Sequence, residues 1–303
     1  MQGHTNNKYL NLSLSFAFLL GACSATAHTG QASWPESLSD QVGKTYKIVW
    51  TQSTETGGNA GSSGTSNSRN TLIETVLNAT PNELILEYDM PDGTSDIDRR
   101  RSWQFPARVR LTPDNKMTLL NAEDLKERNE DWLSWGNYDR RHCDMWLFTW
   151  TAQKIECDPN SVLEELEPLN IRRLDLKDGS AYASSMGFEP VILTEQSSDD
   201  GMINLIAQPT LDSEKVRENR AKSNIIVAQI LGEKAPTLEA ELLKLQKETI
   251  SGTIKVSYTL DEDGEPIKRV QINEITIINS DGDTETSKST ETVERKLLDK
   301  PAN

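Results

Sequence analysis

Apolar and polar residues alternate along several short stretches of this chain, the period of strands that bury one face. Tyr46, Ile48 and Trp50 alternate with Lys47, Val49 and Thr51; Leu84, Leu86 and Tyr88 repeat the pattern; Trp103, Phe105, Ala107, Val109 and Leu111 stand against Gln104, Arg108 and Arg110. A strand is predicted over Leu72 to Leu77, and the turn Pro113-Asp114-Asn115 returns the chain through Met117 to Leu120 as a hairpin. The aromatic run Met145 to Trp150 suits a strand better than a helix. Two further hairpins are predicted, Ile171 to Leu176 returning at Asp178-Gly179, and Val191 to Thr194 returning near Asp200-Gly201 into Met202 to Ala207. Ile254, Val256, Tyr258 and Leu260 then alternate up to a turn at Asp261 to Gly264, Val270 to Ile278 follows, and past Asp281-Gly282 a Thr-rich strand reaches Val293. That last strand is polar on both faces and is predicted to be an exposed edge.

Helices fall between these strands. Asn121, with Asp124 three residues on, is placed to cap one reaching to about Ser134. Ser161 and Glu164 have the spacing of a capping box for a short helix that Pro168 ends. Asp212 or Ser213 opens a mixed-charge helix towards Leu231, with Glu218 and Lys222 as an i,i+4 pair and Gly232 as its stop. Thr237 caps another, with Leu238, Leu242 and Leu245 on one stripe. Between Thr54 and Asn70 the composition GGNAGSSGTSNS cannot bury enough apolar surface, so 54–70 is predicted to be a disordered loop. It lacks the phosphate-loop pattern. The fold class predicted is α+β: an antiparallel sheet built from hairpins with several packed helices. A curved sheet with helices of this kind also resembles the lipoprotein-carrier folds of the periplasm.

The amino terminus changes the setting. Lys8 precedes the apolar run Leu10 to Ala22, long enough for a signal peptide and too short to span a bilayer comfortably. The run ends in Leu20-Gly21-Ala22-Cys23, which resembles the lipobox of bacterial lipoproteins. The resemblance implies cleavage before Cys23 and acylation of that residue, a firm membrane anchor at about 0.8 kcal/mol per buried methylene. Ser24 in place of Asp implies the outer membrane, with the protein facing the periplasm. The alternative is a soluble periplasmic or secreted protein cleaved after Ala27, at the A-x-A pattern Ala25-Thr26-Ala27. The organisation expected is a signal peptide (1–22), a flexible tether (23–40), a mostly-β lobe (41–158) and an α+β lobe (159–303) that is either separate from the first or continuous with it. Gly252 to Gly264 also resembles the strand-turn segment of the TonB C-terminal domain over about a dozen residues, and the long strands that follow depart from it.

The chain has 303 residues and a net charge of −15. So acidic a balance argues against nucleic acid as a partner, since affinity for a phosphate backbone comes from Lys and Arg displacing counterions. With only three histidines, one of them His4 in the leader, paired-histidine metalloprotease chemistry is excluded, and there is no G-x-S-x-G elbow. The acidic turns at Asp261 to Gly264 and Asp281 to Asp283 lack the spacing of a calcium loop. No cofactor is implied.

Unusual residues concentrate between Asp131 and Cys157, which holds Trp132, Trp135, Trp146 and Trp150 together with Tyr138, Phe148, His142, Cys143 and Cys157. The motifs His142-Cys143-Asp144 and Glu156-Cys157-Asp158 admit two readings, a metal site using His142, Cys143 and Cys157, or a disulfide. An oxidising compartment and an even pair of thiols favour the disulfide Cys143–Cys157. The Arg clusters, Arg99 to Arg101, Arg140 and Arg141, and Arg172 and Arg173, either pair with nearby acids such as Asp96, Asp98, Asp139 and Asp175, or converge beside the tryptophans on an anionic head group. In the second case Arg140, Arg141, His142, Trp146 and Trp150 form a ligand wall. The function expected is that of a non-enzymatic envelope lipoprotein with a binding or scaffold role, meeting the membrane through its anchor and holding an amphiphile or an envelope protein. Its alternatives are a periplasmic hydrolase without a recognisable catalytic motif and a structural subunit of an envelope assembly.

Overall fold

The computed structural model describes residues 42–59, 63–148, 152–172, 176–197 and 202–298. The leader and tether, Cys23, Trp150 and Arg173 lie outside them. In chain order the strands are β1 (Thr45–Gly58), β2 (Gly64–Thr80), β3 (Glu83–Asp89), β4 (Ala107–Leu111), β5 (Met117–Leu119), β6 (Trp146–Phe148), β7 (Ala152–Lys154), β8 (Ala181–Tyr182), β9 (Val191–Ile192), β10 (Thr194–Ser197), β11 (Ile203–Ala207), β12 (Thr249–Leu260), β13 (Pro266–Ile278) and β14 (Thr284–Leu298). The α-helices are α1 (Asp96–Arg101), α2 (Ala122–Trp135), α3 (Ser161–Leu166), α4 (Ser213–Ile230) and α5 (Leu238–Leu245). The fold is α+β with the sheet dominant.

Ten strands form one antiparallel sheet in the order β10-β11-β12-β13-β14-β1-β2-β3-β4-β5, and β6-β7 and β8-β9 are small separate ladders. The first and last strands of the sheet are therefore neighbours at its centre, pairing from Thr45↔Leu298 to Gly58↔Glu285. β5 and β10 lie at opposite edges, so the connection carrying α2, α3 and the small ladders passes from one side of the sheet to the other.

One face of β1 to β4 carries the apolar half of each alternation. Tyr46, Ile48, Leu72, Val76, Leu84, Leu86, Tyr88, Ala107, Val109 and Leu111 are buried there, and they cluster with Leu125 of α2, Val162 and Leu166 of α3, Trp103, Leu169 and Ile171. Each fully buried aliphatic side chain contributes about 1.5–3 kcal/mol. A second cluster joins Leu205, Ala207, Val256, Tyr258 and Leu260 to Leu176, Tyr182 and Leu193, and a third joins Ile254 to Met186 and to Val216 of α4. The same face of β13 and β14 between these clusters is polar. Arg269 pairs with Glu291 and donates to the Pro168 carbonyl at 2.9 Å, while Gln271 donates to Asn273 at 3.2 Å. The sheet runs unbroken across the residues assigned to both lobes, whereas its apolar clusters are separate.

Five expectations are corrected. The stretch 54–70 is not a disordered loop: 54–58 and 64–70 are the distal halves of β1 and β2, paired from Thr54↔Ser66 to Trp50↔Asn70. Ladder hydrogen bonds, with β14 on the other side of β1, replace the apolar burial that the composition lacks. β14 is not an edge; its polar side chains find polar partners across the ladder, such as Lys288 with Glu274 at 2.8 Å and the ion pair to Glu294 from Lys268 at 2.9 Å. Ser161 is the first residue of α3 and donates to the Asp158 carbonyl at 2.7 Å, with Asn160 as N-cap, so the capping box does not form. Asn121 does precede α2, but its side chain accepts from the Arg108 amide at 2.8 Å and makes no cap bond. The partner of β9 is β8, Ala181 and Tyr182, and Ile171 and Arg172 belong to no strand.

Candidate functional site

The stretch Asp131 to Cys157 folds as the end of a helix followed by a stapled hairpin. Leu133 of α2 is buried, and Trp132 packs half-buried on the first cluster. Gly136 ends the helix, and a Cβ there would meet the Tyr138 ring at 2.6 Å, so a glycine is what lets Tyr138 fold back. The Tyr138 ring then lies 6.0 Å from that of Trp132 and 5.5 Å from that of His142. Such ring pairs add about 0.5–1.5 kcal/mol beyond area burial. A short 3-10 turn, Arg140–His142, follows, capped by Asp139.

Cys143 and Cys157 form a disulfide with a Cα separation of 5.6 Å. Both thiols are consumed, which displaces the reading of His142, Cys143 and Cys157 as a metal-ligand set. Beyond the disulfide, the Asp144 amide donates to the Ile155 carbonyl at 2.8 Å and the Ile155 amide to the Met145 carbonyl at 2.9 Å, continuing the β6-β7 ladder. Asn129 of α2 ties the hairpin to the helix through the Glu156 carbonyl at 3.1 Å.

The basic residues of this stretch are paired locally. Arg140 meets Glu130, and Arg141 meets Asp139, whose carboxyl is held well below the usual carboxylate range by hydrogen bonds from the Arg141 side chain and amide and from His142. The His142 ring Nδ1 lies 3.0 Å from Asp139, and among the described residues no serine hydroxyl is bonded to it. Trp146, half-buried, sits on β6, which lies against α4. Of the other clusters, Arg99 pairs with Asp89 at 3.1 Å, Arg101 approaches Asp98 at 3.9 Å, and Arg100 lies 5.7 Å from the exposed Trp135 ring. The Arg clusters therefore have individual partners, and one of them, Arg100, stands beside a tryptophan.

Arg172 is committed elsewhere. Together with Arg295 of β14 it encloses Glu74 of β2, and all three are buried. Tyr88 donates to Glu74 at 2.9 Å, and the Arg295 guanidinium lies 3.4 Å from the centre of the Tyr46 ring. Burial alone would raise the Glu74 pKa, but the charges of Arg172 and Arg295 and the hydrogen bonds of Arg172 and Tyr88 outweigh it and bring the pKa down to about 2. The sequence held a signal for this site: Glu74 falls between Leu72 and Val76 in the inward register, as Arg295 falls between Val293 and Leu297.

The burial of α4 runs against its composition. Its polar amino-terminal half supplies the buried positions Val216, Arg217 and Ala221, whereas the apolar half that follows, with Ile225, Ile226, Val227 and Ile230, has no fully buried residue. The helix packs on α5 and lies against β6 and β12. Leu231 just beyond it and Leu243 of α5 are exposed, as is Met145 beside β6. Among the concavities formed by described residues, one is lined by polar and apolar surface in about equal measure and another is mainly polar. One, of about 540 Å³, crosses the sheet at Thr56, Thr253, Glu274, Thr286 and Lys288; the other, of about 360 Å³, lies by the disulfide at Asp144, Lys154, Glu156, Asp158 and Glu164. No described helix is long and apolar enough to cross a membrane.

No protein family and no curated protein matches the chain. Among solved structures it is similar to a lipovitellin determined for its lipid–protein interactions, with 9% identity over 87% of this chain and 26% of that one and a TM-score of 0.44. It thus spans about a quarter of the lipovitellin chain. A LolA superfamily protein from Nitrosomonas europaea aligns at 8% identity over 90% of this chain and 96% of its own, with a TM-score of 0.15. Ail, the attachment invasion locus protein of Yersinia pestis, aligns at 4% identity over 84% and 99%, also with a TM-score of 0.15.

Proposed function

We propose that this chain is a non-enzymatic protein of the cell envelope, anchored to the outer membrane through Cys23, that receives the apolar part of an amphiphile on the surface formed by α4, α5 and β6. The observation that carries the reading is the reversed burial of α4, which leaves Ile225, Ile226, Val227 and Ile230 partly open to solvent. Leu231 and Leu243 on the same pair of helices are exposed, and exposed apolar surface marks a candidate interaction site. Trp146 borders it from the hairpin, and Arg140 and Arg141, on the same stapled element, are the candidates for an anionic head group.

The test is the lipid content of the full chain purified from membranes, read by native mass spectrometry. Leu231→Ser and Leu243→Ser are expected to abolish bound amphiphile while leaving the urea midpoint nearly unchanged, because both side chains are exposed. A native chain that carries no amphiphile, or variants that keep it, would overturn the reading. Arg140→Ala with Arg141→Ala tests the head-group role separately; unchanged binding would remove both residues from the wall. Palmitate labelling with a Cys23→Ala control tests the anchor. A second reading, a structural subunit of an envelope assembly, is favoured by the mainly polar lining of the concavity beside the disulfide, and it predicts a stable protein complex that survives removal of lipid.

A further inference from the structure

One end of the three central strands gathers apolar and basic residues that the binding surface on α4 does not use. Thr45 of β1 faces Leu298 of β14, Tyr46 faces Leu297, and Lys47 faces Lys296. On the other side of β1, the Gly43 amide donates to the Val76 carbonyl at 2.8 Å and the Val76 amide to the Lys44 carbonyl at 3.0 Å, which fixes Val42 to Lys44 beside the same end of β2. There β2 contains a bulge: Val76 pairs with Leu86 and Asn78 with Ile85, so Leu77 is the extra residue. A bulge re-aims the side chain it inserts. Val42, Leu77, Leu297 and Leu298 are consequently all exposed at one end of the sheet, at 48%, 40%, 44% and 36%.

The charges at this end are of one sign. Lys44, Lys47 and Lys296 have no acidic partner among the described residues, and Lys47 and Lys296 stand directly opposite one another, an arrangement that destabilises a sheet unless something neutralises it. The nearby carboxylates are engaged, Glu294 by Lys268, Glu87 by Arg108, and Glu74 in the buried cluster. In a chain of net charge −15, three unpaired lysines around four exposed apolar side chains call for an anionic, partly apolar partner. An anionic lipid surface has that chemistry, and Val42 is the first described residue after the segment that carries Cys23.

We infer that this end of the β14-β1-β2 sheet docks on an anionic lipid surface, with the lysines at the head groups and the four apolar side chains at the interface. Basic residues with adjacent apolar ones are the combination that binds such surfaces, and an acyl anchor gains from a second, electrostatic contact. The inference rests on the anchor reading only for the compartment; the patch is a property of the folded chain.

The test is amine acetylation of the full native chain, read residue by residue by mass spectrometry, with vesicles of mixed phosphatidylglycerol and phosphatidylcholine and with vesicles of phosphatidylcholine alone. The reactivity of Lys44, Lys47 and Lys296 is expected to fall roughly five-fold on the anionic vesicles and little on the zwitterionic ones. It should recover at about 0.5 M salt, where charge attraction is screened. Lys255, exposed on β12, should react alike in both. Equal reactivity of the three lysines on the two vesicle types would overturn the inference, whether or not Cys23 carries lipid, and so would equal protection of Lys255.

Discussion

Arg172 and Glu74, 98 residues apart in sequence, are joined by two hydrogen bonds inside the protein with both side chains almost wholly excluded from solvent. The pair fastens the segment after α3 to the sheet. Removing one partner of a buried ion pair costs about 3–5 kcal/mol, because the other charge is left without compensation. Here two guanidinium groups would be left. Glu74→Gln, which keeps the shape of the side chain, is therefore expected to lower unfolding free energy by about 3 kcal/mol or more in urea titrations.

The same carboxylate sets an acid limit. Its pKa in the folded protein is about 2 against an ordinary value of 4.5. A depressed carboxyl pKa means that the unfolded chain takes up a proton first as pH falls. The stabilisation is complete above the unfolded value and is lost between about pH 4.5 and 2. It amounts to about 3 kcal/mol. Stability measured from pH 7 down to 2 should show this loss in the native chain, and the Glu74→Gln variant should lack that component.

Cys143 and Cys157, 14 positions apart, close the loop that presents Trp146. A cross-link around a loop of about 15 residues is worth about 3 kcal/mol in the chain-entropy account. Reduction, or Cys143→Ser with Cys157→Ser, should lower the urea midpoint accordingly and speed hydrogen exchange at Asp144 and Ile155, whose amides extend the β6-β7 ladder. Exchange in β1 to β4 should change much less, since their core does not include the loop.

Gly252 lies within β12 at a point of close backbone approach, where a Cβ would sit 2.1 Å from the Glu274 carbonyl oxygen of β13. Backbone cannot give way as a flexible side chain can. Gly252→Ala should destabilise by about 1–3 kcal/mol, the range for overpacked sites, with amide exchange accelerated in β12 and β13 first.

Helix α4 begins at Asp212, whose carboxylate accepts from the Glu214 and Lys215 amides at 3.0 and 3.3 Å. Asp212→Ala should cost about 1 kcal/mol in urea titrations, and Asp212→Asn should recover most of it.

Much of the architecture could be read in the sequence wherever local chemistry and burial agree. The alternation around Tyr46, Leu84, Val109 and Val256 marks strands that bury one face, and Asp212 and Thr237 cap the helices expected of them. The disulfide followed from an even pair of thiols and the expectation of an oxidising compartment. Reading failed where strands are held by their neighbours and not by an apolar core. Residues 54–58 and 64–70 are mostly Gly, Ser, Thr and Asn, and nothing in their composition records that they pair with each other and that β14 stands on the far side of 54–58. β14 looks like an edge because its charges are visible in sequence while their cross-strand partners, Lys268, Glu274 and Arg269, are not. The Arg clusters offered no means of telling Arg172, which is buried, from Arg140 and Arg141, which are solvated, since that difference is made by Glu74 and Arg295 far along the chain.

The adjacency of β1 and β14 also governs how the sheet can be assembled. Strands β1 to β5 can pair with near neighbours in sequence, and so can β10 to β13, but the seam between the two sets is β14, which pairs with a strand more than 200 residues earlier. Contacts of such sequence separation form late and slowly. Until residues 284–298 pair, β1 keeps an open edge, Glu74 lacks Arg295, and the two sets of strands remain half-sheets without the seam that joins them.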